Sequence, residues 1–155
     1  MGKSVLFNVL TGAYTTVSNY PGTSVEVSRG HCEIAGTKFE VLDTSGMYSL
    51  LPITEEERVA RDILLVETAH VVVHVVAARN LQRMLPMTLQ LVEAGLPVVL
   101  VVNIIDEAER ACIEIDFALL EEKLGIPVVG AATGRNRGVK AIRGAIPSYR
   151  QGKKA

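Results

Sequence analysis

Two hydrophobic periodicities alternate along this chain. Val25–Ile34 and Thr37–Leu42 alternate apolar with polar or run apolar, and Ala35-Gly36 separates them, which predicts a β-hairpin. Val71–Ala77 and Val98–Asn103 are short, β-branched and almost wholly apolar, as strands are when both faces of a parallel sheet are covered. Pro127–Val129 reads as a last short strand. Helical spacing fills the intervals. Val5, Leu6, Val9 and Leu10 mark a first helix. Thr54-Glu55-Glu56-Glu57 is a capping-box sequence ahead of Val59, Ile63 and Val66. Leu81, Leu85, Leu89 and Val92 form another apolar face closed by Gly95, and Pro86 inside it predicts a kink or a late helix start. Asp116 is the expected N-cap of Phe117–Leu124, with Gly125 as the stop. Val139, Ile142 and Ile146 mark a final helix that Pro147 ends.

Strands alternating with helices imply an α/β fold with a mostly parallel sheet and one antiparallel hairpin strand. The 155 residues suit one domain, residues 1–148, followed by a polar tail over 149–155. At 48% apolar residues the chain can bury a sizeable core. A net charge of −1 gives no reason to expect nucleic acid or an anionic membrane as partner. The longest apolar runs are far too short to cross a bilayer, and no signal peptide is visible. Cys32 and Cys112 lack a CxxC partner and read as ordinary thiols of a reducing compartment; His31 and Cys32 would face opposite sides of a strand, a poor metal pair.

Three short segments carry chemistry. Gly2-Lys3-Ser4 before a helical pattern is the end of a Walker A loop, in which backbone N–H groups wrap phosphates, the lysine neutralises β/γ oxygens and the serine hydroxyl binds Mg²⁺. Asp43-Thr44-Ser45-Gly46 follows a strand and reads as D-x-x-G, a carboxylate near Mg²⁺ and a glycine N–H near a terminal phosphate. Asn103-Ile104-Ile105-Asp106 ends a buried strand as N-x-x-D, where the aspartate accepts two hydrogen bonds from guanine and is left unpaired against adenine. Each segment alone has a bland reading, namely a lysine near a chain end, an Asp turn, or a polar strand end with a helix cap. Their order and their strand-end positions together give the layout of a P-loop, Ras-like GTPase domain.

The connecting sequence narrows the family. Asn19-Tyr20-Pro21-Gly22-Thr23-Ser24-Val25-Glu26 resembles the N-[YW]-P/A-G-x-T-V-E segment of FeoB, the bacterial ferrous iron transporter. Asp43-Thr44-Ser45-Gly46-Met47-Tyr48-Ser49-Leu50 resembles its D-x-P-G-x-Y-S-L. Asn80-Leu81-Gln82-Arg83, Thr88-Leu89-Gln90-Leu91 and Asn103–Glu107 with Ala108 are similar to its N-L-x-R, T-L-Q-L and N-x-x-D-x-A runs. The resemblance implies a cytosolic GTPase domain that takes GTP or GDP with Mg²⁺, allows K⁺ as a further cation, and precedes a membrane permease in the whole transporter. The location implied is the cytoplasmic face of the inner membrane, with this chain by itself soluble, no nucleic-acid partner, and homo-oligomerisation open. It further implies that Gly2, Lys3 and Ser4 hold phosphates and that Gly22, Thr23, Ser24, Val25 and Glu26 form the first switch, with Ser24 in the place of the Mg²⁺-coordinating threonine. Asp43, Thr44, Ser45 and Gly46 would sense Mg²⁺ and the γ-phosphate. Asn103, Ile104, Ile105 and Asp106 would read guanine, and Ala132, Thr133 and Gly134 would lie at the loop that contacts its oxygen. Lys3, Ser24 and Gly46 are then the groups at the reacting phosphate, and Ser4, Ser24 and Asp43 the Mg²⁺ set.

Departures from the family pattern shape the expectations. Ser24 keeps the hydroxyl but loses the methyl that stiffens threonine. Ser45 replaces proline and loosens the second switch. Ala77 stands where the family has an aspartate. Met47 occupies the position at which many GTPases orient water with glutamine, so slow turnover and switch behaviour are expected, with no side chain as general base. The strand and most of the loop before Gly2 are absent, so the chain reads as incomplete at its start, with two sheet edges lacking a partner. Two other readings compete: an inert remnant that binds nucleotide weakly or not at all, and a ribosome- or RNA-associated GTPase, against which stand a near-neutral net charge and a tail with only Arg150, Lys153 and Lys154 as basic residues. His70 and His74 read as packed or interface histidines.

Overall fold

The computed structural model describes residues 3–12, 15–44, 47, 51, 53–66 and 70–147. Its elements are α1 (Lys3–Thr11), β1 (Thr15–Asn19), β2 (Glu26–Ile34), β3 (Thr37–Asp43), α2 (Glu55–Leu65), β4 (Val72–Ala77), α3 (Leu81–Glu93), β5 (Val98–Asn103), α4 (Ile105–Arg110), α5 (Phe117–Leu124), β6 (Val128–Gly130) and α6 (Val139–Ala145), with 3₁₀ turns at Ala78–Asn80 and Thr133–Arg135. The expected hairpin is β2 with β3, paired from Ile34↔Thr37 to Ser28↔Asp43. β1 adds a third antiparallel strand that the sequence reading lacked: its residues are polar apart from Val17, which is 57% exposed, so no apolar alternation marks it. β4, β5 and β6 form a parallel sheet. The α/β class therefore holds, and among the described residues its strands form two three-stranded sheets. β3 and β4 do not pair with each other among the described residues. A largely apolar cavity of about 510 Å³ lies between them, lined by Phe39 and Val41 from β3 and by Val73 and Val75 from β4.

The parallel sheet is buried on both faces, as its unbroken apolar runs predicted. Val98, Leu100 and Val102 of β5 point into one core cluster with Met84, Met87 and Leu91 of α3; Phe117 and Leu120 of α5 pack against it. Val99 and Val101 point the other way, into a cluster with Leu6 and Leu10 of α1 and Ile142 of α6. All five are fully buried, each contributing about 2 kcal/mol or more from the water it sheds. α2 covers the antiparallel sheet through Val59 and Ile63 against Val25 and Val27. Its start is the predicted capping box: the Glu57 N–H donates to Thr54 Oγ1, and Glu57 Oε1 accepts from the Thr54 N–H. Val66 caps its other end and is exposed.

Two helical faces are rotated from their expected positions. α1 buries Leu6, Phe7, Leu10 and Thr11, leaving Val5 exposed; Thr11 fits because its hydroxyl donates to the Phe7 carbonyl at 2.8 Å. That face packs on β2 at Gly30, where a Cβ would lie 2.7 Å from the Thr11 methyl. α3 buries Met84, Met87, Thr88 and Leu91, while Leu89 is exposed. Thr88 hid this stripe, because a hydroxyl at its centre looks polar until its bonds to Met84 O and His74 Nδ1 are seen. Nor does Pro86 delay the helix: α3 begins at Leu81, and Pro86 sits on its exposed side. Phe117–Leu124 starts and stops as read, with the Leu119 N–H donating to Asp116 Oδ1 and Gly125 left-handed. The last strand is Val128–Gly130, one residue later than expected.

Candidate functional site

Asn103 ends β5 at 1% exposure, too buried to leave its amide unpaired. Its Nδ2 donates to Thr133 Oγ1, and its Oδ1 accepts from the Thr133 N–H, both at 3.0 Å. This two-way bond fixes the Thr133–Arg135 turn to the end of the strand. Ile104 then takes a left-handed conformation at φ 57°, a strained state for a β-branched residue that turns the chain into α4. The Ile105 N–H donates to Ala131 O and the Ala131 N–H to Val102 O, so the same turn is held by backbone as well. Gly138 closes the far side: at φ +83° its missing Cβ would lie 2.6 Å from the Gly130 carbonyl oxygen.

Asp106 stands in the first turn of α4 with its side chain 18% exposed. Arg135 Nε lies 3.1 Å from its Oδ2, and an Arg110 nitrogen lies 3.9 Å from the same oxygen. One turn further on, Arg137 grips Glu109 with two bonds of 3.0 and 2.8 Å, which hold the glutamate below its ordinary pKa. Asn103, Ile104, Ile105 and Asp106 thus meet Ala132, Thr133 and Gly134 in one place. A hollow of about 330 Å³ opens beside them at the ends of β4 and β5, lined by Ala77, Arg79, Asn80, Ile104 and Glu107. That is where open α/β sheets bind ligands. The larger cavity between the sheets is largely apolar and, of the expected site residues that are described, touches only Lys3 and Thr44.

The other half of the expected site is more loosely assembled. Lys3 opens α1, Asp43 ends β3, and Lys3 Nζ is 3.0 Å from Asp43 Oδ1. This contact is one of charge and not of hydrogen-bond geometry: that buried oxygen has no hydrogen-bond partner among the described residues. Ser4 is exposed. Tyr20 to Val25 form a tight turn between β1 and β2, in which the Thr23 hydroxyl donates to Tyr20 O and accepts from the Val25 N–H. The Thr23 hydroxyl is therefore engaged, and the Val25 side chain is in the core. Gly22 is left-handed at φ +81°, and Ser24 and Glu26 are exposed. Among the described residues no hydrogen bond joins Ser24 to Lys3, Ser4 or Asp43. Gly2, Ser45 and Gly46 lie outside the described residues, as do Tyr48 to Leu50 and the tail from residue 148. Met47 is 8% exposed in the main core cluster. The residues present are of the kind an oxygen-seeking divalent cation takes: Asp43 Oδ1 is a carboxylate oxygen without a hydrogen bond among the described residues, though Lys3 Nζ lies against it, and the Ser4 hydroxyl is exposed.

Of the two histidines, His74 packs as expected. It hydrogen-bonds Thr88 at 3.1 Å, and burial pushes its pKa down to about 4. His70 is instead exposed at the rim of the large cavity. Cys32 is buried, which raises its pKa, while His31 on the opposite face is exposed. Sequence reasoning missed Arg135 and Arg137. Their carboxylate partners lie on α4, roughly 30 residues earlier, and no local spacing connects them.

The family model described as Ferrous iron transport protein B matches residues 1–146. The chain is 37% identical over 153 residues to an Fe(2+) transporter FeoB of Shigella flexneri, and 38% identical over 152 residues to that of Salmonella typhimurium. Each match covers 96% of this chain and 20% of the relative, so the chain spans about a fifth of their length. The cytosolic domain of the T. maritima FeoB iron transporter in a GDP form superposes with TM-score 0.94 at 34% identity, covering 99% of this chain and 61% of that one. The FeoB G-domain from Methanococcus jannaschii gives TM-score 0.84 at 37% identity, covering 97% and 90%. Fold, motif order and a family match over nearly the whole chain agree that it belongs to the ferrous iron transport protein B family.

Proposed function

We propose that this chain is the GTP-binding, slowly hydrolysing switch domain of a ferrous iron uptake transporter. The observation that carries the reading is the Asn103–Thr133 clamp, which keeps Asp106 beside the turn at the end of β5 with its carboxylate turned to polar partners. An aspartate held there accepts the ring N–H and exocyclic amine of guanine, and adenine offers no such pair of donors. Relatives crystallised in GDP and GMPPNP forms support a guanine nucleotide as ligand. Lys3 would neutralise β/γ oxygens, and Ser4, Ser24 and Asp43 would hold Mg²⁺. A Mg²⁺ ion held by these residues would supply positive charge against the phosphates. Ser24, exposed on the turn before β2, would join that set as the switch segment closes on the triphosphate.

Slow turnover follows from Met47, whose apolar side chain is in the core and cannot orient water. The role in iron uptake rests on the transporter relatives, in which a region like this one is a fifth of the length. Among the described residues no helix is long and apolar enough to cross a membrane, so transport would need a permease part of the same protein.

The test is a fluorescent GDP titration with Mg²⁺, competed by unlabelled GDP and by ADP. Saturable binding displaced by GDP and not by ADP is expected. A folded chain without binding would support the inert-remnant reading instead. A fast basal GTPase rate would refute the slow switch.

A further inference from the structure

We propose that Arg135 is an internal competitor of the base: its guanidinium holds Asp106 until guanine displaces it, lowering affinity and hastening release. The inference rests on the guanine-reading role proposed for Asp106. Guanine presents two in-plane N–H donors, so it needs both carboxylate oxygens, and Arg135 Nε stands 3.1 Å from Oδ2 as an ion pair, competing for that oxygen by charge. Asp106 is 18% exposed, which leaves few directions from which a second donor can approach the same oxygen.

Arg135 is also delivered to this position by fixed backbone. Thr133 is tied to Asn103 on one side. On the other, Ala132 and Arg137 exchange backbone hydrogen bonds, and Arg137 is clamped to Glu109. Both arginine–carboxylate pairs therefore join one loop to α4, but only one of the carboxylates belongs to the base-reading sequence. The Arg135 side chain itself is 69% exposed, so it can swing into solvent without unpacking the core. Arg110, 3.9 Å from Oδ2, is placed to share the charge of Asp106 when Arg135 leaves.

The experiment compares GDP and ADP binding by the chain and its Arg135→Ala and Arg137→Ala variants, then repeats Arg135→Ala in an Asp106→Asn background with xanthosine diphosphate. Xanthine carries an oxygen where guanine has its amine, matching an asparagine amide. The expected result is about two- to fivefold tighter GDP binding by Arg135→Ala, the range of a partly exposed ion pair. ADP binding should not change, and Arg137→Ala, which only loosens the loop, should not tighten GDP. In the Asp106→Asn background the gain should vanish, because no carboxylate remains for Arg135 to hold. If the parent prefers GDP over ADP but Arg135→Ala binds GDP equally or more weakly, the competitor role is overturned and the guanine reading stands. If neither folded protein binds GDP, both fall together.

Discussion

The two ends of the site are built on different terms. At the base end, Asn103 and Thr133 satisfy each other inside the core, and β5 arrives there with every residue buried. At the expected phosphate end, Lys3 and Asp43 meet by charge, Ser4 and Ser24 face solvent, and a buried carboxylate oxygen has no hydrogen bond among the described residues. The base end is therefore assembled by the protein, and its geometry is part of folding stability. Among the described residues the phosphate end has its charges in place without hydrogen bonds between them; on the proposed function a multiply charged ligand would supply these. On the proposed function, rigidity suits a reader of base identity, and a looser end suits a sensor that the terminal phosphate would complete.

Substitutions can break this contrast. The largest expected effect is from Asn103→Ala, which strands the Thr133 N–H and hydroxyl in the core; urea unfolding should show a loss of about 4 kcal/mol. A loss under about 1 kcal/mol would mean the clamp is not integral to the fold. Next is pH, through His74 on the base-end sheet. Its folded pKa is about 4, below the 6.5 of a free imidazole. Between these values the unfolded chain takes up a proton that the folded chain refuses. Stability should therefore fall as pH drops through that window, by up to about 3 kcal/mol. Unfolding measured at pH 7 and near pH 4 checks this, and His74→Gln should lack that part of the slope.

The phosphate end should respond the other way. Lys3→Ala should change stability by about 1 kcal/mol or less, since the pair is partly exposed, yet weaken GDP by roughly tenfold or more through lost phosphate contact. Comparable losses of stability and affinity would erase the distinction between the two ends. The smallest effect is expected from Ser24→Ala, within about 0.5 kcal/mol in stability because the side chain is exposed. Its consequence should appear only as weaker binding of a non-hydrolysable GTP analogue in Mg²⁺, with GDP affinity unchanged.

The sequence by itself determined whatever depends on neighbours in the chain. β5 as a doubly covered strand, the Thr54–Glu57 cap, the Asp116 cap and the Gly125 stop are local patterns, and the structure carries each of them. The order of Lys3-Ser4, Asp43 and Asn103-x-x-Asp106 was equally legible, because short motifs at strand ends need no tertiary information to be seen. Tertiary structure decided which stripe of α3 is buried, since His74 of β4 meets the Thr88 hydroxyl, which also bonds the Met84 carbonyl of its own helix. It also brought Arg135 onto Asp106 and Arg137 onto Glu109, because charge attracts through space while sequence patterns record only distance along the chain.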